Sequence, residues 1–144
     1  MYVVDACVWV GRFVRKDAHH LPSRSWLDGT IQRGETMALP AIALPEISGS
    51  VARQTNSTGL GAKAVSLIQE LPNVRLVPVD RLLAELAAKS ASELRLRGAD
   101  AIYIALASYL GIPLVTWDNE LIRRGGYAVD TTTPLELNQA LPLS

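Results

Sequence analysis

Gly98-Ala-Asp-Ala-Ile-Tyr-Ile-Ala-Leu-Ala-Ser-Tyr-Leu-Gly-Ile-Pro-Leu-Val-Thr-Trp-Asp118 decides the fold. From Gly98 to Leu110 the pattern is helical but apolar nearly all round, and such a helix belongs at the centre of a domain. Gly111 and Pro113 stop it. Leu114 to Thr116 then reads as a short strand of the fully buried kind. A central helix followed at once by a buried strand is one unit of an alternating pattern. The rest of the chain repeats it, which argues for an α/β domain with a parallel sheet.

Working outward, Tyr2-Val-Val-Asp5 is another short buried strand, followed by a helix over Cys7 to Val14. A second helix lies within Pro22 to Gln32, with Gly34 as its stop. Thr36 to Leu39 is the second strand. Pro40 and Pro45 bracket the start of a helix running towards Arg53, which places Glu46 near its N-terminus. Leu60, Ala64, Leu67, Ile68 and Leu71 have amphipathic spacing, and Pro72 ends that helix. Val74 to Val79 is the third strand, and Leu82 to Leu94 carries a clear helical stripe. After the fourth strand come a short helix, Asp118 to Arg124, and a weak fifth strand, Ala128 to Asp130. Thr133-Pro-Leu-Glu136 has the form of a capping box that opens a last helix.

At 144 residues, nearly half of them hydrophobic, the chain reads as one domain, 1–144, able to bury a core without staples. Basic and acidic side chains balance at 14 each, so a diffuse basic coat for nucleic acid is disfavoured. The single cysteine, Cys7, excludes an internal disulfide and a thiolate metal cluster, and a reducing cytosol is the natural compartment. No basic region followed by an apolar signal core opens the chain. The apolar stretch from Ala101 is too short to cross a bilayer, so no membrane role is expected.

Four carboxylates stand at the edges of these core elements. Asp5 and Asp118 end the first and fourth strands, while Glu46 and Asp100 begin helices. In open parallel sheets, ligands collect beyond the carboxyl ends of the strands. If the first and fourth strands are neighbours, all four acids converge on one pocket. An ionised carboxylate beside buried elements is costly unless compensated, and four of them point to a shared cation. The competing explanation is local: Asp5 and Asp118 as helix N-caps, Glu46 and Asp100 as favourable charges at helix starts. Capping alone does not explain an acid in the first turn of the apolar central helix.

Other features carry less. Gly59-Leu-Gly-Ala-Lys-Ala64 matches a dinucleotide fingerprint, but no buried strand precedes it. His19 and His20 fall in a polar loop and read as solvated. Arg123-Arg-Gly-Gly126 reads as the charged end of a helix. Trp9, Trp26 and Trp117 read as core or interface residues, Trp117 being the closest to the acids.

In order along the chain, the segments around Asp5, Leu44-Pro-Glu-Ile-Ser-Gly-Ser, Gly98-Ala-Asp-Ala-Ile-Tyr and Leu114-Val-Thr-Trp-Asp resemble the acidic motifs of PIN-domain ribonucleases. The likeness is closest to the small VapC-type toxins of prokaryotic toxin–antitoxin systems, and it spans Tyr2 to about Asp130. It implies a doubly wound parallel sheet in the order 3-2-1-4-5 with helices on both faces. It also implies that Asp5, Glu46, Asp100 and Asp118 are the catalytic, metal-binding acids, with Thr116 as a supporting hydroxyl. Many relatives have Ser or Thr where this chain has Cys7, a weaker hydrogen-bonding group. Hard oxygen donors favour magnesium or manganese over zinc, and an ion of this kind activates water for phosphodiester hydrolysis. The expected function is therefore a magnesium-dependent endoribonuclease, with RNA as substrate, a cognate antitoxin as partner and a homodimer as its form. The apolar fraction, including Trp9 and Trp26, would supply the dimer contact. The alternative is a non-catalytic module of the same fold that binds RNA or protein.

Overall fold

The computed structural model describes residues 1–141; the last three positions of the expected 1–144 domain lie outside the described residues. Five strands form one sheet: β1 (Tyr2–Val4), β2 (Met37–Pro40), β3 (Val74–Val77), β4 (Leu114–Val115) and β5 (Thr131–Thr132). Their order is β3-β2-β1-β4-β5, and every pairing is parallel. Around the sheet lie α1 (Ala6–Phe13), α2 (His20–Gln32), α3 (Ala43–Thr55), α4 (Thr58–Glu70), α5 (Arg81–Leu94), α6 (Gly98–Leu110), α7 (Asn119–Gly125) and α8 (Pro134–Ala140).

Burial follows the strand order. Val3, Val4, Met37, Leu39, Leu114 and Val115 are fully buried, as central parallel strands covered on both faces must be. The edge strand β3 is only half-buried. The helix α6 runs beneath the sheet centre and buries Ala101 and Tyr103 through Ala107. It ends at Gly111, whose φ of +66° is the left-handed conformation glycine takes without strain. No helix among the described residues is long and apolar enough to cross a membrane.

Helix ends are satisfied by local side chains. Ser57 caps α4 and Asp80 caps α5, and Thr133 with Glu136 forms the expected capping box. The Gly59-Leu-Gly61 run lies inside α4. A Cβ at Gly61 would come within 2.6 Å of the Ser48 carbonyl oxygen. That glycine lets α4 press against α3, a packing role with no nucleotide involved.

Three expectations shift, the first being β3, which ends at Val77 and not Val79. The α2 helix starts at His20, ahead of Pro22, which sits in its first turn. The fifth strand is Thr131–Thr132 and not Ala128–Asp130. The N–H groups of Ala128 and Val129 both bond back to the Gly125 carbonyl, so those residues are taken up in ending α7. The β-branched threonines beyond them pair with Leu114 and Val115.

Candidate active site

Adjacency of β1 and β4 sets the site. The Asp5 N–H donates to the Val115 carbonyl at 2.9 Å, so the residues that follow each strand, Asp5 and Thr116, meet across the sheet. Thr116, fully buried, donates its hydroxyl to Asp5 Oδ2 at 2.7 Å and accepts the Asp118 N–H at 3.0 Å. The Cys7 thiol donates to the same Asp5 oxygen at 3.3 Å and accepts the Trp117 N–H at 3.4 Å. Cys7 thus fills the place of a hydroxyl with longer bonds.

Capping separates the two strand-end acids. Asp5 occupies the N-cap position of α1 but makes no side-chain cap bond; its carboxylate faces Thr116 and Cys7. Asp118 does cap: its Oδ1 accepts the N–H groups of Glu120 and Leu121 at 2.8 and 3.1 Å. For Asp118 the local explanation is therefore correct as far as it goes, and Oδ1 is committed to α7.

Glu46 lies in the first turn of α3. Its Oε1 accepts the hydroxyl of Tyr103 at 2.8 Å. Asp100 sits in the first turn of α6, which runs antiparallel to the strands and so brings its N-terminus to their carboxyl ends. Asp5, Glu46, Asp100 and Asp118 all line one open cavity of about 680 Å³. A second depression, of about 410 Å³, lies at the opposite ends of β4 and β5, with Asp130 as its one charged lining residue.

The acids feel one another. Burial raises the Asp5 carboxyl to about 6, against the pull of its Thr116 and Cys7 hydrogen bonds; the charges of Glu46 and Asp100 raise it further. Glu46 is also raised, chiefly by burial and then by Asp100. Asp100 is raised by burial and by Asp118, with Arg97 opposing. Burial and the Asp5 charge push the Cys7 thiol up, which leaves it a neutral donor and not a thiolate. A cation would relieve the carboxylate repulsion, and an all-oxygen donor set suits magnesium. Among the described residues, however, no three histidine, cysteine or carboxylate side chains stand close enough to enclose one ion. The arrangement is an open acidic cavity, not a closed cage. Magnesium, which keeps several waters and binds through one or two carboxylates, fits such a cavity.

Several residues join the site that the sequence did not single out. Asp17, Ser50, Arg53 and Gln54 line the cavity. The last three follow Glu46 at helical spacing, so periodicity could have found them. Tyr103 is one turn beyond Asp100 in a helix where a buried hydroxyl must find a partner. The histidines are not simply solvated. His19 stacks on Trp117, ring centroids 4.1 Å apart and planes 7° from parallel, and His20 Nδ1 lies 2.8 Å from the Gly11 carbonyl. Trp9 and Trp26 are both inside the core, so neither supplies the dimer contact expected of them.

A five-stranded parallel sheet in this order, with carboxylates beyond the ends of its two adjoining middle strands, defines a doubly wound α/β domain with a strand-end acidic pocket. The chain belongs to the PIN-domain family, whose model matches residues 2–127. Its fold is similar to that of VapC20 from Mycobacterium tuberculosis, a Sarcin-Ricin loop cleaving toxin. That match has a TM-score of 0.73 and 17% identity, over 85% of this chain and 94% of that one. FitAcB from Neisseria gonorrhoeae gives a TM-score of 0.70 at 22% identity, over 94% of this chain and 99% of the other. VapBC2 from Rickettsia felis, solved with a DNA fragment from its promoter, gives 0.69 at 13%, over 92% and 97%. No curated protein matches the chain in sequence.

Proposed function

We propose that this PIN domain is a metal-dependent endoribonuclease and the toxin of a VapBC-type toxin–antitoxin pair, working in the cytoplasm as a single domain over residues 1–144. The observation that carries the reading is the convergence of Asp5, Glu46, Asp100 and Asp118 on one cavity beyond β1 and β4. Asp5, Asp100 and Asp118 would hold magnesium or manganese, partly through water. When bound, the ion supplies a Lewis acid that acidifies water and offsets charge on the phosphoryl oxygens.

The chain's own groups do the rest. Thr116 and Cys7 hold the Asp5 carboxylate in one orientation. Tyr103 occupies Glu46 Oε1, which leaves Oε2 to accept a proton from the attacking water. The raised Glu46 carboxyl is a better base than an ordinary glutamate. A cognate antitoxin would inhibit by setting a cation, such as an arginine, against Asp5 or Asp100. A homodimer would form through exposed apolar residues, such as Leu82 and Tyr109, since Trp9 and Trp26 are unavailable.

The second reading is a non-catalytic module that binds RNA or protein, favoured by the absence of three closely grouped ligands among the described residues. Incubating single-stranded RNA with the protein in magnesium or in chelator separates the two. Cleavage by wild type in magnesium alone, lost in Asp5→Asn, is the expected result. No cleavage under any divalent ion leaves the binding module in its place.

A further inference from the structure

Charge is segregated in this neutral chain. The acidic cavity carries five carboxylates, those of Asp5, Asp17, Glu46, Asp100 and Asp118, and Arg53 is the one cation among its described lining. Beside it a groove of about 670 Å³ runs between the end of α1 and the α3–α4 pair. Arg12, Arg15, Lys16, Arg24 and Lys63 line that groove, and no carboxylate does among its described lining. Gln54 lines both, so the two adjoin at that residue. Arg12 and Arg24 share Asp28. Arg15, Lys16, Lys63 and Arg53 form no salt bridge among the described residues. Between the cations the groove has an apolar floor that includes Phe13 and the exposed Leu60 and Leu67.

A polyanion is repelled by five carboxylates, so the affinity that brings it to such a cavity must be made outside it. We propose that the groove carries the single-stranded RNA flanking the cut; this rests on the nuclease reading. The backbone leaves the acidic cavity past Arg53 and Gln54, and its phosphates meet Arg15, Lys16 and Lys63. Its unpaired bases lie over Phe13 and the two leucines, contacts a duplex would withhold. An acidic protein segment is the competing occupant. Adjacency to the cavity favours RNA, because a strand cut there has to leave past a neighbouring surface, and this one is basic.

The test measures binding apart from cleavage, in an Asp5→Asn background that leaves RNA whole. Anisotropy of labelled single-stranded RNA of roughly 20 nucleotides, longer than one groove needs, is recorded against salt. The Lys16→Glu/Lys63→Glu pair is compared with Arg75→Glu/Lys89→Glu, an equal charge change outside the groove. The groove pair is expected to lose about tenfold or more in affinity. Its salt slope should fall by about 1.4, roughly 0.7 for each lost phosphate contact. The control pair, on β3 and α5 and outside the lining of the groove, should stay within about twofold, since screening weakens charges away from the contact. In the active protein the groove pair should raise KM more than it lowers kcat, with a penalty that grows with RNA length. Equal losses in both pairs would overturn the proposal. So would unchanged RNA affinity together with lost binding of an acidic peptide, which would make the groove a protein dock. If wild type binds RNA through the groove yet cuts none, the nuclease reading fails and the binding result stands.

Discussion

Asp5 meets opposing influences. Burial holds its carboxyl near 6, while the Thr116 hydroxyl and the Cys7 thiol pull it down. Removing the hydroxyl should push it up again and free the side chain to rotate. A hydrogen bond to a charged group is worth about 1.5–3 kcal/mol. Thr116→Val should therefore lower RNA cleavage at pH 7 by roughly tenfold to a hundredfold. The loss should shrink at higher pH as Asp5 regains its charge. A pH–rate profile whose acid limb does not move would count against this role. Cys7→Ser tests the second bond with the opposite sign, because a hydroxyl is a stronger donor than a thiol. It should leave activity equal or raised and move the acid limb down, whereas Cys7→Ala should move it up. Tyr103→Phe bears first on Glu46, which accepts the hydroxyl, though the hydroxyl also stands beside Asp5 and the Ala6 backbone. It removes one hydroxyl from a buried ring, so cleavage should fall while the fold survives, as circular dichroism would report.

The α3 helix, which carries Glu46 to the cavity, packs against both α4 and α1. Gly61 makes the α4 approach, and an added methyl would meet the backbone oxygen of Ser48, which cannot turn aside as a side chain can. Gly61→Ala should cost about 1–3 kcal/mol, read as a lower thermal midpoint. Gly98→Ala is the contrast. Nothing lies within 4 Å of its would-be Cβ, and the position opens α6, so a neutral or slightly higher midpoint is expected. Elements of this kind differ in how plainly they show in sequence. The nearly all-apolar α6 and the buried β1 and β4 are legible because burial on most sides leaves few polar positions. β5 is not, since two threonines at an edge resemble any turn. Asp5, Glu46, Asp100 and Asp118 stand out as acids against apolar runs. Tyr103 and Arg53 do not, because a tyrosine and an arginine are ordinary in helices. Their meaning comes from Glu46, which reaches Tyr103 across 57 positions. Asp118 was legible under two descriptions, and its cap and its place in the cavity are compatible because one carboxylate has two oxygens.

At the scale of the whole molecule, the acidic cavity should link stability to pH and, on the proposed reading, to metal. A carboxyl whose folded value is raised keeps its proton where the unfolded chain has lost it. Asp5, about 6 when folded against 3.8 ordinarily, adds stability that is complete below about 3.8 and is lost as pH rises through 6. The full effect is about 3 kcal/mol. Glu46 and Asp100 are raised as well and act in the same direction. Glu136 is lowered by its capping box, so its contribution falls away only below the ordinary glutamate range and does not offset this window. In chelator, the thermal midpoint should therefore rise as pH falls from 7 to 5, the reverse of ordinary acid destabilisation. Magnesium should raise the midpoint at pH 7 by mass action, worth about 2.7 kcal/mol at a hundredfold excess over Kd. At pH 5 it should do little, because it competes there with the protons on the same oxygens. Asp5→Asn removes the charge that both respond to, so its midpoint should vary less with pH and with magnesium. Melts at both pH values, each with magnesium and with chelator, check all of these together. A magnesium shift that persists in Asp5→Asn would move the ion off Asp5. A midpoint that falls steadily from pH 7 to 5 in chelator would mean that Asp5 is already ionised in the folded chain.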